Sequence, residues 1–196
     1  MSTRPFSVCV YCGSRHGARE SYAAAARRLG QLIGERGWQL VYGGGRVGLM
    51  GELADAALAA GARVVGVIPD SLMRREVGHP GLSELHVVQT MHMRKQAMAE
   101  RADAFVALPG GIGTFEELFE VWSWRQLGYH DQPIGVLEVD GYYEPLLAFM
   151  RRSTAEGFTS AEMMAVPQLD SDPARLLDRL ALLALDAAAP DNFSRT

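Results

Sequence analysis

The sequence predicts a single doubly wound, Rossmann-like α/β domain, with a mostly parallel sheet between two layers of helices. Three observations predict it. Short apolar runs alternate with longer helix-like stretches along almost the whole chain. Most of those runs are apolar without a break, as strands are when both faces of a sheet are covered. The chain has 196 residues, which suits one domain that hides roughly 70% of its unfolded surface.

In chain order, Phe6-Ser-Val-Cys-Val-Tyr11 is the first strand and the alanine-rich stretch 19–36 the first helix. Strand 38–42 passes through Gly43-Gly-Gly45 into helix 47–60. Strand 63–68 opens the longest connection, Asp70 to Gly81, which leads to strand 85–88. Helix 91–102 precedes strand 103–108, and Pro109-Gly-Gly111 turns that strand into helix 114–127. Strand 133–139 and helices 142–156 and 172–185 complete the series. Repeated strand–helix units imply parallel pairing through right-handed crossovers. No linker or low-complexity segment divides the chain, so residues 1–189 read as one nucleotide-binding hydrolase domain and 190–196 as a loose tail.

Composition narrows the function classes. Hydrophobic residues make up 48% and charged residues 21%, ordinary for a water-exposed globular fold. The net charge of −4, with no basic run longer than two, argues against nucleic-acid binding. No apolar stretch reaches 18 residues, so no membrane helix is expected. The N-terminus runs straight into a strand, and a cytoplasmic location is expected. Cys9 and Cys12 form a C-x-x-C, but an extended chain holds residues three apart near 10 Å, beyond disulfide reach. Nor is there a recognisable set of zinc ligands. Buried or turn cysteines are expected, and no metal.

Ligands of doubly wound folds bind beyond the carboxyl ends of the strands. Four segments stand at such ends: Cys12-Gly13-Ser14, the loop Gly43–Gly48, the connection through Glu76, and Pro109-Gly-Gly111. Gly43, Gly45 and Gly48 satisfy G-x-G-x-x-G, the dinucleotide fingerprint. The match lies in the second strand–helix unit instead of the first, and Asp70 is poorly placed for a ribose, so an NAD(P) cofactor is disfavoured. The second glycine turn, Leu108-Pro-Gly-Gly-Ile-Gly-Thr-Phe-Glu-Glu117, speaks more clearly. A strand turning on glycines into a helix presents backbone N–H groups and a positive dipole end to an anion. A structural reading makes Thr114 the helix N-cap, with Glu116 and Glu117 as favourable first-turn charges. Glu117 nevertheless sits about a turn from any bound phosphate, where a carboxylate is unfavourable unless it acts.

Met91-His-Met-Arg-Lys95 opens the helix before the strand at 103–108. Arg94 and Lys95 oppose the dipole of their own first turn, which a nearby anionic ligand would offset. His92 reads as an acid–base group or as a structural hydrogen-bonder; Phe119, Trp122 and Trp124 read as core or interface packing. The chain contains 18 arginines and a single lysine, Lys95. Retention of one lysine points to a site that a wide guanidinium does not fit.

These motifs resemble the Lonely Guy (LOG) family of cytokinin riboside 5′-monophosphate phosphoribohydrolases over about residues 6–160. The resemblance rests on C-G-S at 12–14, Y-G-G-G at 42–45, V-G-L-M-G at 47–51 and the M-x-R-E segment ending at Glu76. It rests also on M-H-x-R-K at 91–95 and P-G-G-x-G-T-x-x-E at 109–117. It implies that Arg94 and Glu117 are catalytic, and that Glu76, Lys95, the turn Gly111, Ile112, Gly113, Thr114, and Ser123 contact the nucleotide. Phe115 and Glu116 within that turn, and Gly13, Ser14, Gly44 and Gly45 at the other strand ends, join the expected substrate-binding set. The resemblance implies a homodimer with the site near the interface, no cofactor, and hydrolysis of an adenosine-type 5′-monophosphate to free base and ribose 5-phosphate. Departure of the base leaves oxocarbenium character on the ribose. Glu117 could stabilise that charge, hold ribose hydroxyls or orient water. Arg94 could keep Glu117 ionised, bind phosphate or meet the leaving base. A non-catalytic nucleotide or cofactor carrier of related fold is the alternative. The label of lysine decarboxylase, common among such proteins, fits poorly, because a pyridoxal enzyme needs a Schiff-base lysine and only Lys95 is available.

Overall fold

A computed structural model describes residues 4–73 and 77–187. Seven parallel strands form one sheet: β1 (Ser7–Tyr11), β2 (Gln39–Tyr42), β3 (Arg63–Pro69), β4 (Glu84–Val88), β5 (Ala104–Ala107), β6 (Ile134–Leu137) and β7 (Pro167–Asp170). Their spatial order is β4-β3-β2-β1-β5-β6-β7. The chain winds outward from β1 to β4, returns to the middle, and winds the other way from β5 to β7. The winding reverses between β1 and β5, where Val8 pairs with Ala104 and Tyr11 with Ala107. That is the switch point at which doubly wound folds bind ligands.

The helices are α1 (Glu20–Glu35), α2 (Gly48–Ala59), α3 (Met91–Ala99), α4 (Ile112–Gln126), α5 (Glu144–Ala155), α6 (Ala161–Met164) and α7 (Pro173–Leu185), with a 3₁₀ turn at Asp70–Leu72. The alternation of side chains along a strand divides them between two cores. Val8, Val10, Leu40 and Tyr42 face Leu29, Ile33, Leu53 and Leu176 of α1, α2 and α7. Cys9, Tyr11, Val41 and Phe105 face Met98, Leu118 and Trp122 of α3 and α4. Both faces are thus covered, which is why the central strands read as unbroken apolar runs. On the first face α1 and α2 touch through backbone: a side chain at Gly30 would overlap the Leu53 carbonyl oxygen.

All six strands and six helices read from the sequence are present, with no end shifted by more than three residues. Two elements escaped the reading. The edge strand β7 is a four-residue Pro-Gln-Leu-Asp segment, and α6 is a single turn that Trp122 pins through an Nε1 hydrogen bond to the Met163 carbonyl at 2.9 Å. The tail at 190–196 and Glu76 lie outside the described residues. Among the described residues no helix is long and apolar enough to cross a membrane.

Candidate active site

The carboxyl ends of β1, β2 and β5 open into a crevice of about 190 Å³. Its floor is Val10, Tyr11 and Cys12 at the end of β1. One wall comes from α3 with Met91, Arg94 and Met98; the other comes from the start of α4 with Gly111, Ile112, Gly113, Thr114, Glu116 and Glu117. Ser14 and Gly43 close the ends, with Met50 from α2.

Arg94 is 5% exposed, and backbone carbonyls from two neighbouring strands fix it. Its Nε donates to the Val67 oxygen and its Nη2 to the Gly43 oxygen, each at 3.1 Å. Gly43 has to be glycine for this: a methyl group there would run into the guanidinium, with the Met50 sulfur close behind. Packing inside the protein accounts for three glycines of this loop. Gly43 makes room for Arg94, Gly44 takes a left-handed φ of 77°, and Gly48 lies against the backbone of Ser14 and Arg15.

Opposite Arg94, α4 begins at Ile112, two residues before the sequence reading put it, with Gly111 as N-cap and no capping side chain. Thr114 is therefore not the cap; it lies buried inside the first turn. The first-turn amides stand at the crevice, as an anion site requires. Two tyrosines just ahead of α5 hold the turn from behind. The Tyr142 hydroxyl donates to the Gly110 carbonyl, and the Tyr143 hydroxyl donates to the Leu108 carbonyl at 2.7 Å. Gly13 ties the two central strand ends together, donating to the Pro109 oxygen at 3.1 Å and accepting from Leu49 at 3.0 Å.

The floor is buried and carries no formally charged side chain. Burial pushes the Cys9 thiol and the Tyr11 phenol far above their ordinary values, and the Glu117 carboxylate adds to both shifts. Both cysteines are buried free thiols. In such a setting charges act at low effective dielectric, so a carboxylate and a guanidinium here exert far more force than in water.

Of the residues expected in the binding set, Ser14, Gly111, Ile112, Gly113, Thr114 and Glu116 line the crevice with Arg94 and Glu117. Others take different positions. Gly44 accepts from the His79 amide at 3.0 Å, and Gly45 accepts from the Tyr42 hydroxyl at 3.1 Å. Phe115 packs on Tyr142 and Tyr143. Ser123 is exposed further along α4. Lys95 is 6% exposed, and its ammonium is held by Glu116 and, at 2.8 Å, by Glu120. The two cations of α3 are thus already matched, Arg94 by carbonyls and Lys95 by carboxylates. Cys12 lies in one of the four strand-end segments read as converging, whereas Met50, Met91, Met98 and the two tyrosines behind the turn were not read as part of the site. Met91 and Met98 stand seven residues, or about two helical turns, apart in Met91-His-Met-Arg-Lys-Gln-Ala-Met98, and that spacing on one helix face was the available signal for two of them. Among the described residues no cluster of histidine, cysteine, aspartate or glutamate is arranged to hold a metal.

Comparison with known proteins bears on what such a crevice does. Residues 50–180 match a family described as possible lysine decarboxylase. A probable cytokinin riboside 5′-monophosphate phosphoribohydrolase, LOGL2 of Oryza sativa subsp. japonica, is 49% identical over 88% of this chain and 71% of its own. The Arabidopsis thaliana enzyme named cytokinin riboside 5′-monophosphate phosphoribohydrolase LOG3 is 50% identical over 78% of this chain and 71% of its own. Among solved structures, the molybdenum cofactor carrier protein of Chlamydomonas reinhardtii superposes with a TM-score of 0.72 at 21% identity, over 93% of this chain and 99% of that one. At that identity the likeness is one of fold.

Proposed function

This chain belongs to the Lonely Guy family, and on that premise we propose that it hydrolyses the N-glycosidic bond of cytokinin riboside 5′-monophosphates, and of AMP, to free base and ribose 5-phosphate. The observation that carries the reading is the convergence of Arg94 from α3 and Glu117 from α4 on one crevice beside the uncapped first turn of α4. That turn takes the 5′-phosphate. The ribose then lies over the buried floor beside Glu117. As the base departs with the glycosidic electron pair, C1′ gains positive charge that the Glu117 carboxylate stabilises, and water adds to C1′ while giving up a proton. Arg94, fixed by its two carbonyls, sets the field around Glu117. The base nitrogen that leaves with the bonding pair takes up, by way of solvent, the proton that the attacking water gives up.

Decarboxylation of lysine fits less well. It would require an imine between pyridoxal phosphate and Lys95, the only lysine. Imine-forming amines are activated by a lowered pKa. Burial pulls Lys95 down, but its hydrogen bonds to Glu116 and Glu120 outweigh that and leave it raised.

The proposal takes one domain as the catalytic unit, acting as a homodimer in the cytoplasm. The free cysteines suit a reducing compartment. Exposure of Ser123 away from the crevice of its own chain suits a site completed near a subunit interface. The test is chromatographic separation of products from AMP and isopentenyladenosine 5′-monophosphate with wild type, Glu117→Gln and Arg94→Ala, folding being checked by circular dichroism. Both variants should lose at least ~100-fold in kcat, typical for a positioned acid–base group. Near-normal turnover by a folded variant removes that residue from the mechanism.

A further inference from the structure

The two tyrosines ahead of α5 act on different kinds of peptide. Tyr142 donates to the Gly110 carbonyl and Tyr143 to the Leu108 carbonyl. A trans peptide carries its N–H opposite its C=O, and among the described residues every peptide is trans. Turning the Gly110 carbonyl back to Tyr142 therefore turns the Gly111 N–H the other way. The Leu108 carbonyl precedes Pro109, which has no N–H to aim.

The Gly110–Gly111 peptide is one that turns easily. It joins two glycines, the residue type with the widest choice of backbone conformation. A second hollow of about 270 Å³ borders the same turn, lined by Pro109, Gly110 and Gly111 and by Tyr22, Leu49 and Tyr142. Gly111 also lines the crevice, so it forms a thin wall between two open spaces, and a methyl group there would touch nothing within 4 Å. The Tyr142 ring, by contrast, is well held. It stacks on Phe115 at 6.5 Å and meets Tyr22 and Tyr143 edge-on at 5.7 and 5.1 Å.

We propose that Tyr142 is a positioning residue: its hydroxyl locks the Gly110–Gly111 peptide with the Gly111 N–H towards the crevice, so that this amide joins those of the first turn of α4 around the nucleotide phosphate. The same peptide reversed would present a carbonyl oxygen to the anion and repel it. Tyr143 braces the end of β5 without aiming an amide. The proposal rests on the phosphate reading of α4 given above.

Paired hydroxyl deletions test it. Tyr142→Phe keeps the ring and its packing. Its KM for AMP should rise roughly tenfold, the scale of one hydrogen bond to a charged group, with a smaller change in kcat. Calorimetric titration with inorganic phosphate should show the same loss of affinity without any turnover. Tyr143→Phe should lower the melting temperature and leave phosphate affinity at the wild-type value. Wild-type phosphate affinity in a folded Tyr142→Phe overturns the proposal, and so does an equal loss in the two variants, which would mean a general loosening of the turn. If Tyr142→Phe does not fold, the amide resonances of wild type decide: that of Gly111 should move with that of Gly113 as phosphate is added, and a Gly111 amide that stays still overturns the proposal. Should wild type cleave no nucleotide, the enzymatic reading alone fails, and the phosphate titration still decides the role of Tyr142. Should wild type bind no phosphate, the reading of α4 and this proposal fall together.

Discussion

At the scale of single residues, Gly43 controls Arg94. The Arg94 Nη2 lies against the Gly43 carbonyl, and a methyl group at Gly43 would occupy the space of the guanidinium. The obstructed atoms belong to the end of a flexible side chain, so the fold can absorb the change while the site cannot. Gly43→Ala should therefore melt near the wild-type temperature and lose about 100-fold in kcat/KM, the scale on which ångström misplacement acts. A variant that is unfolded, or fully active, would show that Arg94 is not held this way. Arg94 and Glu117 could be picked out in the sequence because each sits in a short motif with distinctive neighbours. The partners of Lys95 could not. Glu116 and Glu120 lie 21 and 25 residues further on, and only the packing of α3 on α4 brings them to it. The tyrosines that pin the glycine turn were hidden for the same reason, being 32 and 35 residues from the carbonyls they bond.

At the scale of elements, the strands and long helices were legible because burial on two faces writes a continuous apolar run and helices carry amphipathic stretches of a dozen residues. The reading failed where neither signal exists. β7 is a short edge strand whose middle residues are polar or partly exposed, and it begins with a proline that only an edge position tolerates. Its last residue, Asp170, organises the joint with α7. The carboxylate, 6% exposed, accepts from the Asp172 amide at 2.9 Å, from Arg175 at 2.7 Å and from Arg179 at 3.2 Å. The Arg175 hydrogen bond, ahead of the Asp172 amide and the charges of both arginines, lowers its pKa from 3.8 to about 2. A depressed carboxylate stabilises the fold fully above its unfolded pKa and loses that contribution as pH falls through the folded one. The joint should thus be at full strength above pH 3.8 and weaken towards pH 2. Asp170→Asn should cost about 2 kcal/mol at neutral pH, the range for a hydrogen bond to a charged group. Melting curves across this window test it: the gap between wild type and variant should close as the acid is added, and a constant gap would assign the loss to packing alone.

At the scale of the whole molecule, each half of the winding supplies one of the two residues proposed to carry the chemistry. Arg94 is tied to β2 and β3, and Glu117 follows β5 across the switch point. The fold class by itself predicts that crevice, since the reversal of strand order is where such sheets bind ligands. A phosphate site built from a helix terminus also predicts which substrates fail. Adenosine and cytokinin ribosides lack the phosphate that α4 is proposed to hold, and binding remote from the reacting bond supports catalysis there; kcat/KM for them should be lower by at least ~100-fold than for the monophosphates. Equal cleavage of nucleoside and nucleotide would mean that the turn does something else. The same uncapped turn governs what happens after the bond breaks. Hydrolysis detaches the base and leaves the phosphate in place, so on the proposed mechanism the group at α4 is identical before and after reaction. The base should depart first and ribose 5-phosphate last. Ribose 5-phosphate should then compete directly with the nucleotide, the free base should inhibit non-competitively, and phosphate buffer should slow the enzyme even though inorganic phosphate carries no sugar.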